Sequence, residues 1–197
     1  VRWHPFLLSP KTPKEGMSMD DYAIMNYGAP MSENTHLQHM RVALSRAGAE
    51  LGIEFKWADR VYSTITAHRL IEWAGSLDKE GEDGSFANLQ HAVSKAVLDA
   101  HFCDKANTED IDVLVACAEK AGLDGAAARK HLLETEEEGT AEVLRLDAQV
   151  KRMGIHGVPS WTIKLHGGAG RGVRFSGAQP ADDLQDLFES MVETRGA

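Results

Sequence analysis

The chain has 197 residues, of which 43% are hydrophobic and 26% are charged, and its net charge at pH 7 is −9. A chain of this length can bury a core without disulfide bonds. The acidic balance and the lack of a dense Lys/Arg run argue against a nucleic-acid partner, and no apolar stretch approaches the roughly 18 residues of a membrane span. No basic start followed by an apolar segment marks a secretory signal, so we expect a cytoplasmic protein with no membrane partner.

The first residues read as the interior of a longer protein. The chain opens with Val1 instead of Met and runs directly into Arg-Trp-His-Pro-Phe. Residues 1–8 combine aromatic side chains with a proline in mid-run, which predicts a short strand that is not central along its whole length. We expect a processed or truncated start, followed by a loop over residues 9–18, which contains two prolines and a glycine.

A block of helical patterns comes next. Ser32 and Thr108 are residue types that favour N-cap positions, and each precedes an apolar stripe of helical spacing. Behind Ser32 that stripe is Leu37, Met40, Leu44, Ala47 and Leu51. The other predicted helices cover residues 20–27, 66–74, 89–100, 125–135 and 140–153.

Two kinds of metal-binding or redox residue occur inside this block without the spacing that their chemistry needs. Cys103 and Cys117 are fourteen positions apart, and the chain has no CxxC, so we expect them to pack as small buried side chains. His36 and His39 are one helical turn apart, but no third ligand stands at helical spacing. We therefore predict no metal site.

The eleven residues 154–164, GIHGVPSWTIK, differ from everything before them. A proline after a β-branched valine holds Val158 extended, and its backbone could then pair with an incoming extended chain. An ordinary trans proline that opens a strand is the alternative at this point. From Pro159 the apolar period changes to 2, which predicts strands at 160–165 and 172–175 joined by a glycine-rich turn. Pro180 then opens a last helix, with Leu184, Leu187, Phe188 and Met191 on its buried face.

This order of elements resembles the DsbA-like branch of the thioredoxin superfamily, and within it the FrnE-type oxidoreductases. Four segments carry the resemblance, in the family's order: Trp3–Pro10 with Gly16 after it, Ala67–Leu70 (AHRL), Gly157–Pro159 (GVP) and Gly177–Pro180 (GAQP). One departure is Ser63-Thr64, where the family usually has Asn-Thr before Ala-His-Arg.

The resemblance implies an α/β, thioredoxin-like fold with a large all-helical insertion. Residues 1–16 and 154–197 would form the thioredoxin-like domain, and residues 17–153 the insertion. The family's first strand and its CxxC at a helix N-terminus are missing from this sequence, so we expect them upstream of residue 1. A strand supplied by another chain and an inactive remnant are the alternatives.

The function that the resemblance implies is thiol–disulfide exchange on protein substrates, with no cofactor. It implies that Pro159 is the family's cis-proline and that Val158 docks the substrate backbone. A glutathione-dependent isomerase or transferase and a non-catalytic peptide-binding module are the alternatives, and a homodimer stays open. The remaining candidate substrate-binding residues are Gly157, His156, His68, Ala178 and Gln179.

Overall fold

The computed structural model describes residues 1–79, 87–165 and 172–193. The chain divides into two compact units, Val1–Ala148 and Gln149–Ala197. No helix in the described ranges is long and apolar enough to cross a membrane.

The first unit is almost entirely helical. Its short strands β1 (Met17–Ser18) and β2 (Arg60–Val61) pair antiparallel, with Met17 opposite Val61. Its helices are α1 (Met19–Tyr27), α2 (Thr35–Glu50), α3 (Ile65–Leu77), α4 (Leu89–Phe102), α5 (Ile111–Lys120), α6 (Gly125–Glu134) and most of α7 (Glu136–Arg152).

The core of this unit lies between α3, α4, α5 and α6. The apolar residues of α3 and α4 face inward, and Leu70, Val93 and Leu114 are fully buried. Small residues such as Ala74 and Ala96 let the helices approach closely. Burying each large side chain contributes about 1.5–3 kcal/mol, so these four helices supply most of the stability of the unit.

The strand predicted over residues 1–8 is wrong, because that segment forms no ladder. Side chains of the helices take the backbone groups that a strand partner would have used. The Trp3 N–H donates to Oε1 of Gln90 at 2.9 Å, and the Trp3 carbonyl accepts from Nε2 of the same side chain at 3.1 Å. The Leu7 N–H donates to Oδ1 of Asp147 at 2.8 Å.

Helix α2 differs from its prediction in both its cap and its buried face. Asn34, not Ser32, caps it, and its side chain accepts from the Leu37 N–H. Of the predicted stripe only Leu37 is buried, whereas Leu51 is 78% exposed. The reason is local: the ring of Phe55 lies where a Cβ at Gly48 would be, so the helix turns its glycine side inward.

The N-termini of two other helices also differ from the predicted ones. Helix α5 is capped by Asp110, whose side chain accepts from the Asp112 N–H, instead of by Thr108. Helix α7 begins at Glu136 instead of Thr140, because three glutamates in its first turn interact favourably with the positive end of the helix dipole.

The second unit contains the end of α7, an antiparallel hairpin and the last helix. Strands β3 (Ser160–Ile163) and β4 (Val173–Ser176) place Ser160 opposite Ser176 and Trp161 opposite Phe175. The glycine-rich turn predicted between them lies outside the described residues. Helix α8 spans Ala181–Glu193.

The buried face predicted for α8 is wrong. None of its residues is buried, and Phe188 is 49% exposed. No described residue between 149 and 193 is buried at all. An apolar stripe is buried only where another apolar surface faces it, and a two-stranded hairpin presents too little of one. The assignment of residues 1–16 and 154–197 to one domain stays a prediction.

Candidate functional site

The loop 154–159 leads from α7 into β3, and its shape follows from its glycines and its proline. Gly154 ends the helix in the left-handed region at φ +80°, where a side chain would be strained. The resemblance implies a cis bond between Val158 and Pro159, and that bond is cis. The Gly177 N–H donates to the Pro159 carbonyl at 2.8 Å, which ties the loop to the residue after β4.

An open hollow of about 380 Å³ lies against this loop. Its lining is Gly154, Ile155, His156, Gly157, Val158, Pro159, Ser176 and Gly177. Val158 is 50% exposed, and within the described residues neither its N–H nor its carbonyl has a hydrogen-bond partner. The loop therefore offers an unpaired backbone donor and acceptor beside a cavity.

The structure brings four of the seven predicted site residues together here: His156, Gly157, Val158 and Pro159. A Cβ at Gly157 would meet nothing within 4 Å, so this glycine leaves space over the loop without being required by the fold.

Two more predicted residues lie next to the hollow in the chain without lining it. Ala178 and Gln179 are exposed, and Nε2 of Gln179 donates to the carbonyls of Ser176 at 3.3 Å and Gly177 at 3.4 Å. Gln179 thus braces the turn whose first two residues form one wall of the hollow. The candidate site residues did not include Ser176, although its register opposite Ser160 places it directly beside Pro159.

His68 occupies a different place. It lies on α3 in the first unit and is not among the residues that line the hollow. Burial lowers the pKa of His68, and the charge of Asp147 together with a hydrogen bond to the Phe6 backbone partly opposes that shift. A neutral imidazole in this position holds the N-terminal segment.

The buried position predicted for both cysteines is confirmed for Cys117 only. Cys117 is buried, with its Sγ 3.6 Å from the Ala96 carbonyl, and burial raises the pKa of its thiol. Cys103 ends α4 and is partly exposed. Neither lines the hollow. Within the described ranges no group of three or more His, Cys, Asp and Glu side chains could hold a metal ion.

Known proteins resemble this chain both in sequence and in structure. The sequence model of the DSBA-like thioredoxin domain matches residues 1–189. The crystal structure of a probable DsbA oxidoreductase from Streptomyces coelicolor superimposes with a TM-score of 0.73 at 23% sequence identity, over 96% of this chain and 74% of that one. No curated protein is significantly similar in sequence. The structural likeness extends to the helical insertion, because nearly the whole chain superimposes.

Proposed function

We propose that this chain, which belongs to the family of DSBA-like thioredoxin domains, is a thiol–disulfide oxidoreductase that docks its substrate at Val158 and Pro159. The observation that carries the proposal is the unpaired backbone of Val158 beside the hollow. An extended substrate segment would pair with that N–H and carbonyl as an added strand, and its own cysteine would then lie at the hollow.

The reaction needs a thiolate that neither cysteine of this chain supplies. Cys117 is buried with a raised pKa, and Cys103, at the end of α4, belongs to no CxxC motif. We place the nucleophile in a CxxC motif in residues that precede Val1, at a helix N-terminus, which lowers a cysteine's pKa.

In the reductive direction that thiolate attacks one sulfur of the substrate disulfide and releases the other as a thiolate. The second cysteine of the motif then breaks the mixed disulfide, so the substrate leaves as a dithiol and the protein as a disulfide. No metal or organic cofactor takes part in the exchange.

The test is insulin reduction by the protein that includes those preceding residues. We expect turnover, and we expect replacement of the first cysteine of the motif by serine to abolish it. The double variant Cys103→Ser, Cys117→Ala is the matched control and should keep the parent rate. Loss of turnover in the control, or the lack of any CxxC upstream, would refute the assignment.

Substitutions of Gly157 test substrate docking separately from the exchange chemistry. Because a Cβ there meets nothing within 4 Å, Gly157→Ala should leave both the fold and KM unchanged. Gly157→Leu would fill the hollow, and we expect it to raise KM about tenfold, the equivalent of about 1.4 kcal/mol of binding. Equal KM values for the two variants would mean that substrate does not enter here.

A glutathione-dependent isomerase or transferase is the second candidate, because a small peptide could pair with the backbone of Val158 inside a hollow of about 380 Å³. Calorimetry with glutathione separates the candidates, since only this one requires measurable binding. A peptide-binding module without catalysis is the third, and turnover of insulin excludes it. A cytoplasmic location and a homodimer stay predictions.

A further inference from the structure

The charge of the chain is unevenly distributed around the hollow. Residues 148–181 contain five Lys or Arg and two His but no Asp or Glu, in a chain whose net charge is −9. The loop 154–159, both hairpin strands and the turn after β4 fall inside this stretch. No carboxylate lines the hollow.

The strand register places one of these cations next to the hollow. Arg174 is opposite Thr162, and its Nε donates to the Thr162 Oγ1 at 3.4 Å. Side chains alternate along a strand, so Arg174 shares a face with Ser176, which lines the hollow two residues away. Two residues of strand span about 7 Å.

The other face of the same hairpin is apolar, with the rings of Trp161 and Phe175 stacked at 6.4 Å between centroids. The polar face of the hairpin, which carries Arg174, is therefore a basic surface that continues into the wall of the hollow at Ser176. Lys164, one residue beyond β3, is also exposed.

Three of these cations, Arg152, Lys164 and Arg174, are not neutralised within the part of the chain that the structure describes. There, no carboxylate lies within 4.0 Å of their side-chain nitrogens. Of the acids that border this stretch in the chain, Asp147 accepts from the Leu7 N–H in the first unit, and Asp182 and Asp183, in the first turn of α8, form no ion pair in the described ranges.

We infer that the substrate segment docked at Val158 is acidic: an extended peptide with Asp or Glu about two residues from its cysteine. The inference rests on the proposed exchange function and specifies its substrate class. A surface of one charge sign attracts an oppositely charged peptide over several ångströms and raises its association rate, an effect that salt weakens. Arg174 is then the residue that selects the substrate.

The experiment compares three peptides that share one internal disulfide and differ only in flanking residues: Glu, Gln or Lys. The reduced protein with its preceding residues is used throughout, and kcat/KM is measured at low and at high ionic strength. Rates are divided by those of the same peptides with dithiothreitol, because flanking charges also change the intrinsic reactivity of the disulfide. At low salt we expect Glu to exceed Lys by about tenfold or more, and the ratio to shrink at high salt.

Arg174→Gln should lower the ratio of kcat/KM for the Glu-flanked peptide to that for the Lys-flanked peptide toward one. Arg145→Gln is the matched control: it makes the same change in net charge at an exposed arginine that pairs with Glu142 in the first unit. The control should keep the preference.

The outcomes separate the two levels of the proposal. If no peptide is reduced, the oxidoreductase assignment itself fails. If all three are reduced equally well, or if Arg174→Gln keeps the preference, only the acidic-substrate inference is overturned. The acidic-substrate inference is also overturned if glutathione binding depends on Arg174 while the Glu-flanked peptide is reduced no faster than the other two. The anionic ligand at Arg174 is then a small thiol and not an acidic peptide.

Discussion

At the scale of single residues, Arg69 shows how one buried charge constrains its surroundings. It is 3% exposed, and its Nη2 donates to the Leu132 carbonyl at 2.7 Å, while its Nε has no hydrogen-bond partner in the described structure. Burial lowers the pKa of this guanidinium, and the charges of Glu136 and Glu109 oppose that shift. The side chain fits only because residue 139 is a glycine, whose Cβ would otherwise lie 2.8 Å from Nε.

Two glycine-to-alanine changes in helices should therefore have opposite effects on the free energy of unfolding. Gly139→Ala should lower the free energy of unfolding by about 1–3 kcal/mol, because the new methyl group displaces Arg69. Gly125→Ala should raise it by about 0.4–1 kcal/mol, because the three atoms nearest to the new Cβ belong to the exposed side chain of Glu119, which can rotate away. Urea denaturation of both variants checks the pair, and equal effects would contradict the account of Arg69.

A second residue-scale prediction concerns pH. Burial lowers the pKa of four histidines below the ordinary value of 6.5: His4, His68, His101 and His131. Below that value the unfolded chain binds more protons than the folded one, so the free energy of unfolding should fall as pH drops from 6.5 toward the lowered values. Glu72, whose pKa burial raises, acts in the opposite sense.

Urea denaturation at about pH 7.5 and about pH 5.5 measures this slope, which should be positive with increasing pH. His68→Asn should make it shallower, since one of the titrating groups is removed. A slope that is flat, or unchanged in the variant, would show that the buried histidines do not couple to folding.

At the scale of elements, α2 shows that an apolar stripe does not by itself choose the buried face. The aromatic loop after the helix made the choice, because Phe55 packs on Gly48 and the indole N–H of Trp57 donates to the Ser45 Oγ at 3.0 Å. The stripe that includes Met40 and Leu44 stays partly in solvent, each of the two side chains being 41% exposed.

The effects of substitutions in α2 on stability should depend on which side chains the structure buries and not on the apolar pattern of the sequence. Met40→Gln and Leu44→Gln should each cost about 1 kcal/mol or less, as partly exposed positions do. Leu37→Ala should cost about 2–5 kcal/mol, because that side chain is 5% exposed and its loss leaves a cavity. Thermal unfolding of the three variants gives the comparison. A large loss of stability in Leu44→Gln would mean that the stripe predicted from the sequence is the buried face.

At the scale of the whole molecule, the two units differ in what holds them together. The first has a continuous core between α3 and α6, whereas no described residue of 149–193 is buried. Hydrophobic burial is the dominant favourable contribution to folding, so the stability of the second unit must depend on surfaces beyond its own hairpin and helix.

Fragments should reflect this difference. Residues 1–148 expressed alone should keep helical circular dichroism and unfold in a cooperative transition. Residues 149–197 alone should show no cooperative transition, because β3, β4 and α8 bury too little apolar surface to offset the entropy of ordering them. A sigmoidal unfolding curve for the second fragment would contradict this prediction.

Much of this protein was determined by local sequence. Helix existence in the first unit, the inward faces of α3 and α4, the hairpin after Pro159 and the grouping of His156–Pro159 all follow from 3.6- and 2-residue periods, from turn chemistry or from the motif resemblance. These features depend on residues close together in the chain, which is why pattern alone predicts them.

Tertiary structure alone decided the rest. It held residues 1–8 by the side chains of Gln90 and Asp147 instead of a strand, and it put Ser176 in the wall of the hollow. Each of these depends on a contact between residues far apart in sequence, or on which of several apolar surfaces finds a partner. Local periodicity contains no information about such contacts, because it specifies which face of an element is apolar and not what will cover it.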